Sequence, residues 1–217
     1  VKVEVPAEWA NIVVKEEEHT ADAARPDFVK KIVDPINALK GDLLPVSAFN
    51  GREDGTWDNG TAAYEKRGIA VDVPEWKIGN CIQCNQCAYV CPHAVIRPFL
   101  ATEEEAAASG VEGKQGLGET KEYKFRIQIS PMDCTGCSNC VDVCPAKDKA
   151  LVMRPLEEQM PQQKNWDYIT KNIGYKQVVD KTKSVKNLQF AQPLFEFSGA
   201  CAGCGETPYI KAISQLF

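Results

Sequence analysis

The sequence predicts an α+β protein whose centre is a repeated unit of strand, cysteine-rich loop, short helix and strand. Two observations predict this fold. Eight of the ten cysteines fall into two groups of four, and apolar stretches flank both groups in the same way. The first group begins at Cys81 and the second at Cys134, 53 residues later. Such an offset indicates an internal repeat with approximate twofold symmetry.

The composition excludes several classes of protein. The 217 residues are 44% hydrophobic and 25% charged, with a formal net charge of −5. These values are ordinary for a globular domain and argue against disorder and against a basic nucleic-acid binder. The chain has no run of about 18 apolar residues that could span a membrane, and its N-terminal residues do not show the basic-then-apolar pattern of a signal peptide. We therefore expect a cytoplasmic protein with neither nucleic acid nor membrane as a partner.

The part of the chain before the cysteines predicts one helix and an irregular segment. Apolar residues recur at helical spacing from Phe28 to Leu39. We expect this amphipathic helix to break near Pro35 and to be closed by Gly41. The following stretch, residues 41–68, is rich in Gly, Asn and Asp and has no regular period.

Both cysteine groups have the spacing C-x2-C-x2-C-x3-C-P. Three cysteines two residues apart wrap a loop round one face of a cubane cluster, and the fourth, followed by proline, ligates the other cluster. The spacing therefore predicts two 4Fe–4S clusters with crossed ligands. The ligands of the first cluster are Cys81, Cys84, Cys87 and Cys144. The ligands of the second cluster are Cys134, Cys137, Cys140 and Cys91.

Two other roles for these cysteines fit less well. A disulfide scaffold is typical of short secreted chains, whereas this chain is not short and shows no export-signal pattern. Zinc sites usually use two spaced pairs or a mixture of Cys and His. Small residues between the cysteines, such as Gly136 and Ser138, leave backbone N–H groups free to bond cluster sulfur, which helps to set the reduction potential.

The connection between the repeats is long, and residues 101–122 are predicted to be an insertion. A short helix is expected at Thr102–Ser109, and alternating apolar residues from Phe125 to Ile129 predict a strand. Between them, GKQGLG partly imitates a phosphate-binding loop but lacks its Lys-Ser/Thr ending and its preceding strand. We interpret this stretch as a flexible connection.

A third cysteine pair, Cys201 and Cys204, follows in the stretch SGACAGCGETPY. Two ligands cannot close a tetrahedral metal site, so the pair is either a redox dithiol or an incomplete ligand set. The glycines and the immediate Glu-Thr-Pro argue against a thioredoxin-like dithiol. Thr207 is predicted to cap a helix and Pro208 to begin it. Its expected apolar face consists of Tyr209, Ile210, Ile213, Leu216 and Phe217.

The two repeats resemble bacterial ferredoxin-type domains that carry two 4Fe–4S clusters. The stretch SGACAGCGETPY resembles the start of the thiamine-diphosphate-binding domain of the pyruvate:ferredoxin (flavodoxin) oxidoreductase family. The resemblance implies that Cys201 and Cys204 hold a third 4Fe–4S cluster and that Glu206 contacts thiamine diphosphate. The other ligands of this cluster, and most of the thiamine diphosphate and Mg²⁺ site, would lie outside the chain. We accordingly expect an internal fragment, since the chain begins without Met and ends on an apolar helix face.

The resemblance also implies a division into five segments. They are the end of a preceding α/β domain (1–45), an irregular linker (46–74), the ferredoxin-like domain with its insertion (75–156), a second linker (157–192) and the truncated start of a thiamine-diphosphate-binding α/β domain (193–217).

The family converts pyruvate and coenzyme A to acetyl-CoA and passes electrons to ferredoxin or flavodoxin, usually as a homodimer. The resemblance implies this activity for the intact chain, with this segment as its electron relay. No catalytic acid, base or nucleophile can be assigned within residues 1–200. The alternative is an electron-transfer module without thiamine chemistry. It explains Cys81 to Cys144 equally well but leaves Cys201, Cys204 and Glu206 unexplained.

Overall fold

The computed structural model describes residues 6–7 and 25–217. The chain divides into two compact units, Val1–Tyr64 and Glu65–Phe217. In the described part of both units, no helix is long and apolar enough to cross a membrane. Within the predicted segment 1–45, residues 1–5 and 8–24 lie outside the described residues.

The helix predicted in the first unit is present, but its expected break at Pro35 is absent. A π-helical turn, Val29–Val33, leads directly into α1, Asp34–Asn37. The Asp34 N–H bonds to the Val29 carbonyl, five residues earlier. Proline lacks an N–H and crowds the preceding turn, and this wider turn accommodates it without a break. The helix ends where Leu39, rather than Gly41, adopts a left-handed conformation with φ of 57°.

The rest of the first unit is a series of short turns held by side chains. Three 3-10 helices follow α1 at Gly41–Leu43, Val46–Phe49 and Thr61–Tyr64. Arg25 bonds to the Asp34 carboxylate at 2.7 Å and to the Tyr64 carbonyl at 3.2 Å. The Arg52 guanidinium lies 3.9 Å from the centre of the Phe28 ring. These contacts join the two ends of the unit in the absence of a sheet among its described residues.

The second unit contains the predicted repeat. Its first copy consists of β1 (Asp72–Trp76), α2 (Gln86–Val90) and β2 (Ile96–Ala101). Its second copy consists of β4 (Lys124–Ile129), α4 (Asn139–Asp142) and β5 (Leu151–Pro155). Strand β1 pairs with β5 and β2 pairs with β4, both antiparallel. Each sheet therefore takes one strand from each copy, which confirms the expected pseudo-symmetry.

Strand β2 contains a proline. It continues past Pro98 to Ala101 and lies at the edge of a three-stranded sheet in which β4 is the central strand. Proline is tolerated in an edge strand because its missing N–H breaks no ladder bond there.

Both sheets contribute to one hydrophobic core. Its most deeply buried side chains are Val73, Phe125, Ile127, Ile129 and Leu151. The Phe125 ring contacts the Trp76 ring edge-on at 6.3 Å and the Phe190 ring at 6.2 Å. Burying side chains of this size contributes about 1.5–3 kcal/mol each, so the core fixes the two cysteine loops that project from the strands.

The insertion is more regular than the flexible connection that we expected. Helix α3 (Glu103–Ser109) is present as predicted, with a capping box between Thr102 and Glu105. The glycine-rich stretch forms β3 (Lys114–Gln115), which pairs with β4, and a 3-10 turn at Gly118–Thr120. A Cβ atom at Gly116 would lie 2.1 Å from the Thr120 carbonyl oxygen, so only glycine fits this turn.

Four helices follow β5: α5 (Leu156–Gln159), α6 (Pro161–Asn172), α7 (Val185–Leu188) and α8 (Thr207–Leu216). The segment expected to be a linker thus contains a twelve-residue helix, α6. Its Trp166 and Ile169 are buried, and the Trp166 ring meets the Phe99 ring edge-on at 6.4 Å. Helix α8 begins one residue earlier than predicted, with Glu206 at the capping position.

Candidate functional site

The two cysteine loops have the same backbone conformation. In the first loop Gln83 and Asn85 are left-handed, with φ of 59° at both positions. Gly136 and Ser138, 53 residues further on, are also left-handed, with φ of 69° and 65°. Such alternation turns successive N–H groups toward the concave side of a loop, where they can bind an anion. The Gly136 N–H already lies 3.4 Å from the Cys134 sulfur.

The loops line two cavities. The cysteines that line the first cavity are Cys81, Cys84, Cys87 and Cys144. The cysteines that line the second cavity are Cys91, Cys134, Cys137 and Cys140. Each cavity thus takes three cysteines from one repeat and the fourth from the other repeat. These are the groupings that the motif spacing predicts.

Two short helices place cysteines in both cavities. Helix α2 carries Cys87 at the first cavity, and Cys91 follows its last residue at the second cavity. Helix α4 carries Cys140 at the second cavity, and Cys144 follows at the first cavity. Helices α2 and α4 pack against each other, so the two cavities are neighbours.

Some thiols in these cavities resist ionisation in the absence of a cation. Burial is the main cause that raises the pKa of Cys134 to about 12, and the nearby Cys91 and Cys137 thiols contribute to this value. Burial also raises the pKa of Cys87 far above its usual value, with contributions from Cys81 and Cys84. Thiolates are the ligand form of cysteine. Four thiolates around one cavity therefore require a positively charged group among them.

The cysteines of the two cavities are free thiols. All ten cysteines are described, and none forms a disulfide. Among the described residues, no group of three or more Cys, His, Asp or Glu side chains is arranged to hold a single metal ion. Four free thiols around each cavity suit the ligand set of a 4Fe–4S cluster.

The third cysteine pair lies on the turn before α8. The Cys204 N–H bonds to the Cys201 carbonyl at 3.1 Å, and Cys201 is exposed. Backbone groups of Thr207 and Glu206, at the start of α8, lower the pKa of Cys204. Helix N-termini favour thiolates in this way, so Cys204 is suited to bind metal. Glu206 is exposed beside this turn.

This turn lies against the second cavity. A Cβ atom placed on Gly203 would lie 3.6 Å from the Cβ of Cys137. His93, which lines the second cavity, donates from Nδ1 to the Ser198 carbonyl at 3.0 Å. Its own carbonyl accepts from the Phe197 N–H at 3.0 Å. His93 therefore anchors the segment that leads to the third pair.

Comparisons with known proteins match this architecture. Residues 80–147 match the 4Fe-4S dicluster domain family, and residues 14–70 match EKR, a domain of unknown function. The whole chain is 52% identical over 218 residues to the pyruvate-flavodoxin oxidoreductase of Klebsiella pneumoniae. It is 51% identical over 220 residues to the pyruvate:ferredoxin oxidoreductase of Moorella thermoacetica. The chain matches one segment of the pyruvate:ferredoxin (flavodoxin) oxidoreductase family.

The matched segment is a small part of these oxidoreductases. It covers all of this chain but 18% of the length of each of the two relatives just named. The chain is also 46% identical over its full length to the mitochondrial pyruvate dehydrogenase [NADP(+)] of Euglena gracilis, of which it covers 12%. The chain thus contains a 4Fe–4S dicluster domain.

Sequence reasoning missed the buried polar residues of this chain. Gln83, Asn85 and Lys211 are each no more than 2% exposed. Polar residues in loops and on helix faces are usually exposed to solvent, so nothing in their residue type indicated this burial. The predicted apolar face of α8 is largely exposed, since Tyr209 and Ile213 are 65% and 60% exposed. Helix α8 instead buries Thr207, Pro208, Lys211 and Gln215. Only their shared helical spacing could have indicated this face.

Proposed function

We propose that this chain is the electron-relay portion of a pyruvate:ferredoxin (flavodoxin) oxidoreductase. The reaction converts pyruvate and coenzyme A to acetyl-CoA and CO₂ and releases two electrons and a proton. One observation carries the proposal: two four-cysteine cavities occur together with a third cysteine pair in a chain that is about half identical, along its whole length, to relatives with these names.

The eight cysteines of the two cavities are the proposed ligands of two 4Fe–4S clusters. When bound, such clusters accept and release one electron at a time. The chain holds them in crossed sets, Cys81, Cys84, Cys87 and Cys144 for one and Cys91, Cys134, Cys137 and Cys140 for the other. Apolar residues such as Trp76 and Leu151 line the first cavity. They keep water away from the sulfur atoms, and solvent exposure is one determinant of cluster potential.

Cys201 and Cys204 are proposed to be two ligands of a third 4Fe–4S cluster, with the remaining ligands outside this chain. The packing of Gly203 against Cys137 supports an order of sites from the third pair through the second cavity to the first cavity. The cluster of the second cavity is then the medial one, and the cluster of the first cavity is the distal one.

Glu206 is proposed to contact thiamine diphosphate, with Mg²⁺ and most of that site bound by residues outside this chain. Thiamine diphosphate supplies the electron sink for decarboxylation. Glu206 is exposed at the start of α8, so its carboxylate is accessible to a neighbouring group. Its position two residues after Cys204 places this contact beside the third cluster.

The electron acceptor and the assembly are proposed from the relatives. Their printed names mention flavodoxin, ferredoxin and NADP(+), so closely similar segments occur in enzymes named for different acceptors. For this chain we propose ferredoxin or flavodoxin, and a cytoplasmic homodimer. We also retain the flanking α/β domains, the preceding one ending within residues 1–45 and the thiamine-binding one beginning within residues 193–217.

The test uses the intact protein, purified without oxygen. Pyruvate is added with and without coenzyme A, and the visible absorbance of the clusters is followed. We expect bleaching that depends on pyruvate and is accelerated by coenzyme A. Bleaching by dithionite alone, with no bound thiamine, would instead show an electron-transfer module. Bleaching by a different 2-oxoacid would retain the reaction class and change the substrate.

A further inference from the structure

The side chain of Lys211 is buried beside the helix that connects the two cavities. Lys211 belongs to α8 and is 2% exposed. Its Nζ contacts the carbonyl oxygens of Ala88, Tyr89 and Cys91, the last two at 3.0 and 3.3 Å. These carbonyls lie at the C-terminal end of α2, where helix carbonyls have no partner within the helix. Lys211 therefore caps α2 from a different element.

The contacts require the charged form of this side chain. An ammonium group has three N–H donors, and three carbonyl oxygens surround Nζ. A neutral amine would direct a lone pair at one of those oxygens. The C-terminal end of a helix also carries a partial negative charge that favours a cation.

This charge is not neutralised by a carboxylate. Another buried cation nearby, Arg97, is paired with Glu196. Within the described ranges of the chain, by contrast, Lys211 forms no salt bridge and its hydrogen bonds go to carbonyl groups. A buried charge without a counter-ion acts over a longer distance than an exposed one, because water does not screen it.

Lys211 contacts a residue of the second cavity rather than one of the first. Its Nζ contacts the main chain of Cys91, which lines the second cavity. Cys87, which lines the first cavity, lies one turn earlier on α2.

We propose that the Lys211 ammonium sets the reduction potential of the cluster held in the second cavity. Reduction adds one negative charge to a cluster, and a nearby cation stabilises the reduced form, which raises the potential. The effect is smaller for the cluster of the first cavity. This inference rests on the proposed function, since it needs the clusters, and it assigns to α8 a role that the cysteine motifs do not include.

The test is an EPR-monitored redox titration of the intact holoprotein and its Lys211→Met, Lys211→Gln and Lys211→Arg variants. We expect Lys211→Met and Lys211→Gln to lower the reduced-to-oxidised ratio of the second cluster, on the order of tenfold at a fixed ambient potential. This corresponds to about 59 mV for a one-electron couple. Lys211→Arg should stay near the wild-type potential.

Iron analysis and a matched control variant distinguish an effect of the Lys211 charge from an effect on cluster assembly. Lys171→Met removes an exposed charge from α6 and should leave both potentials unchanged. Lys211→Gln keeps two N–H donors without the charge. Wild-type potentials in an iron-replete neutral variant would overturn the proposal. Loss of iron from both neutral variants would also overturn it, because Lys211 would then serve assembly. A wild-type protein without 4Fe–4S signals would refute the proposed function itself.

Discussion

At the scale of single residues, the two repeats adopt the same backbone conformation with different residue types. Gly136 adopts its left-handed conformation without steric cost. Gln83 adopts the equivalent conformation at a cost of about 1–2 kcal/mol for a residue with a Cβ atom. Its side-chain amide offsets this cost, because it donates to the Gln115 carbonyl at 2.7 Å and accepts from the Leu117 N–H at 3.1 Å.

The crossed arrangement of ligands gives a prediction for single cysteines. Cys144→Ala should impair the cluster whose other ligands are Cys81, Cys84 and Cys87, because the Cys144 side chain lines the first cavity. Cys91→Ala should impair the other cluster, because Cys91 lines the second cavity. EPR of the reduced protein, with iron analysis, distinguishes the two losses.

The two variants serve as controls for each other, since each removes the fourth cysteine of one motif. The crossing is contradicted if Cys144→Ala spares the cluster of Cys81, Cys84 and Cys87 and removes only that of Cys134, Cys137 and Cys140. Loss of both signals from both variants would show instead that the clusters assemble only as a pair.

At the scale of elements, the insertion and the first cysteine loop are joined by side chains that both of them contribute. Lys114, in β3, donates to the Ile78 and Cys81 carbonyls at 3.1 and 2.8 Å. Gln83 bonds to the turn that follows β3. The insertion therefore covers the loop that carries Cys81 and Cys84.

Removing the Gln83 amide should loosen this attachment. Gln83→Ala keeps the Cβ atom and the backbone requirement but leaves the Leu117 N–H and the Gln115 carbonyl without their partner. Unsatisfied buried groups of this kind cost about 1–3 kcal/mol. We expect amide exchange at Leu117 to accelerate about tenfold or more, as measured by hydrogen–deuterium exchange of the holoprotein.

A neighbouring substitution controls for a general effect. Ile82→Ala changes a side chain that is 53% exposed and should leave the exchange of Leu117 unchanged. Equal acceleration in both variants, or none in Gln83→Ala, would show that the Gln83 amide does not hold the insertion.

The elements that could be predicted from the sequence are those with a strong local signal. The capping residue Thr102 and the alternating residues of β4 gave α3 and a strand in the right places. The buried face of α8 could not be predicted in this way. Lys211 is buried because α2 offers it free carbonyl groups, and such a partner is visible only once the chain has folded.

The cysteine site also has one part that local sequence predicts and one part that depends on tertiary contacts. The grouping of cysteines follows from motif spacing and needs no tertiary information. The neighbourhood of Gly203 and Cys137 depends on how the chain returns after α6 and α7, so the order of the three sites could not be predicted from spacing.

At the scale of the whole molecule, the repeat explains why two cavities form side by side. Each sheet combines strands of both copies, and each cavity combines cysteines of both copies. The exchange of the fourth cysteine brings Cys91 and Cys144 across the pseudo-twofold axis. A chain that folds in this way therefore holds two clusters close together rather than two independent ones.

EPR spectroscopy of the dithionite-reduced holoprotein, with iron and zinc analysis, tests this central claim most directly. We predict iron without zinc and the signals of 4Fe–4S clusters that split or broaden each other, because helices α2 and α4 place cysteines in both cavities. A colourless zinc protein would contradict the account, and so would a spectrum that is the simple sum of isolated clusters.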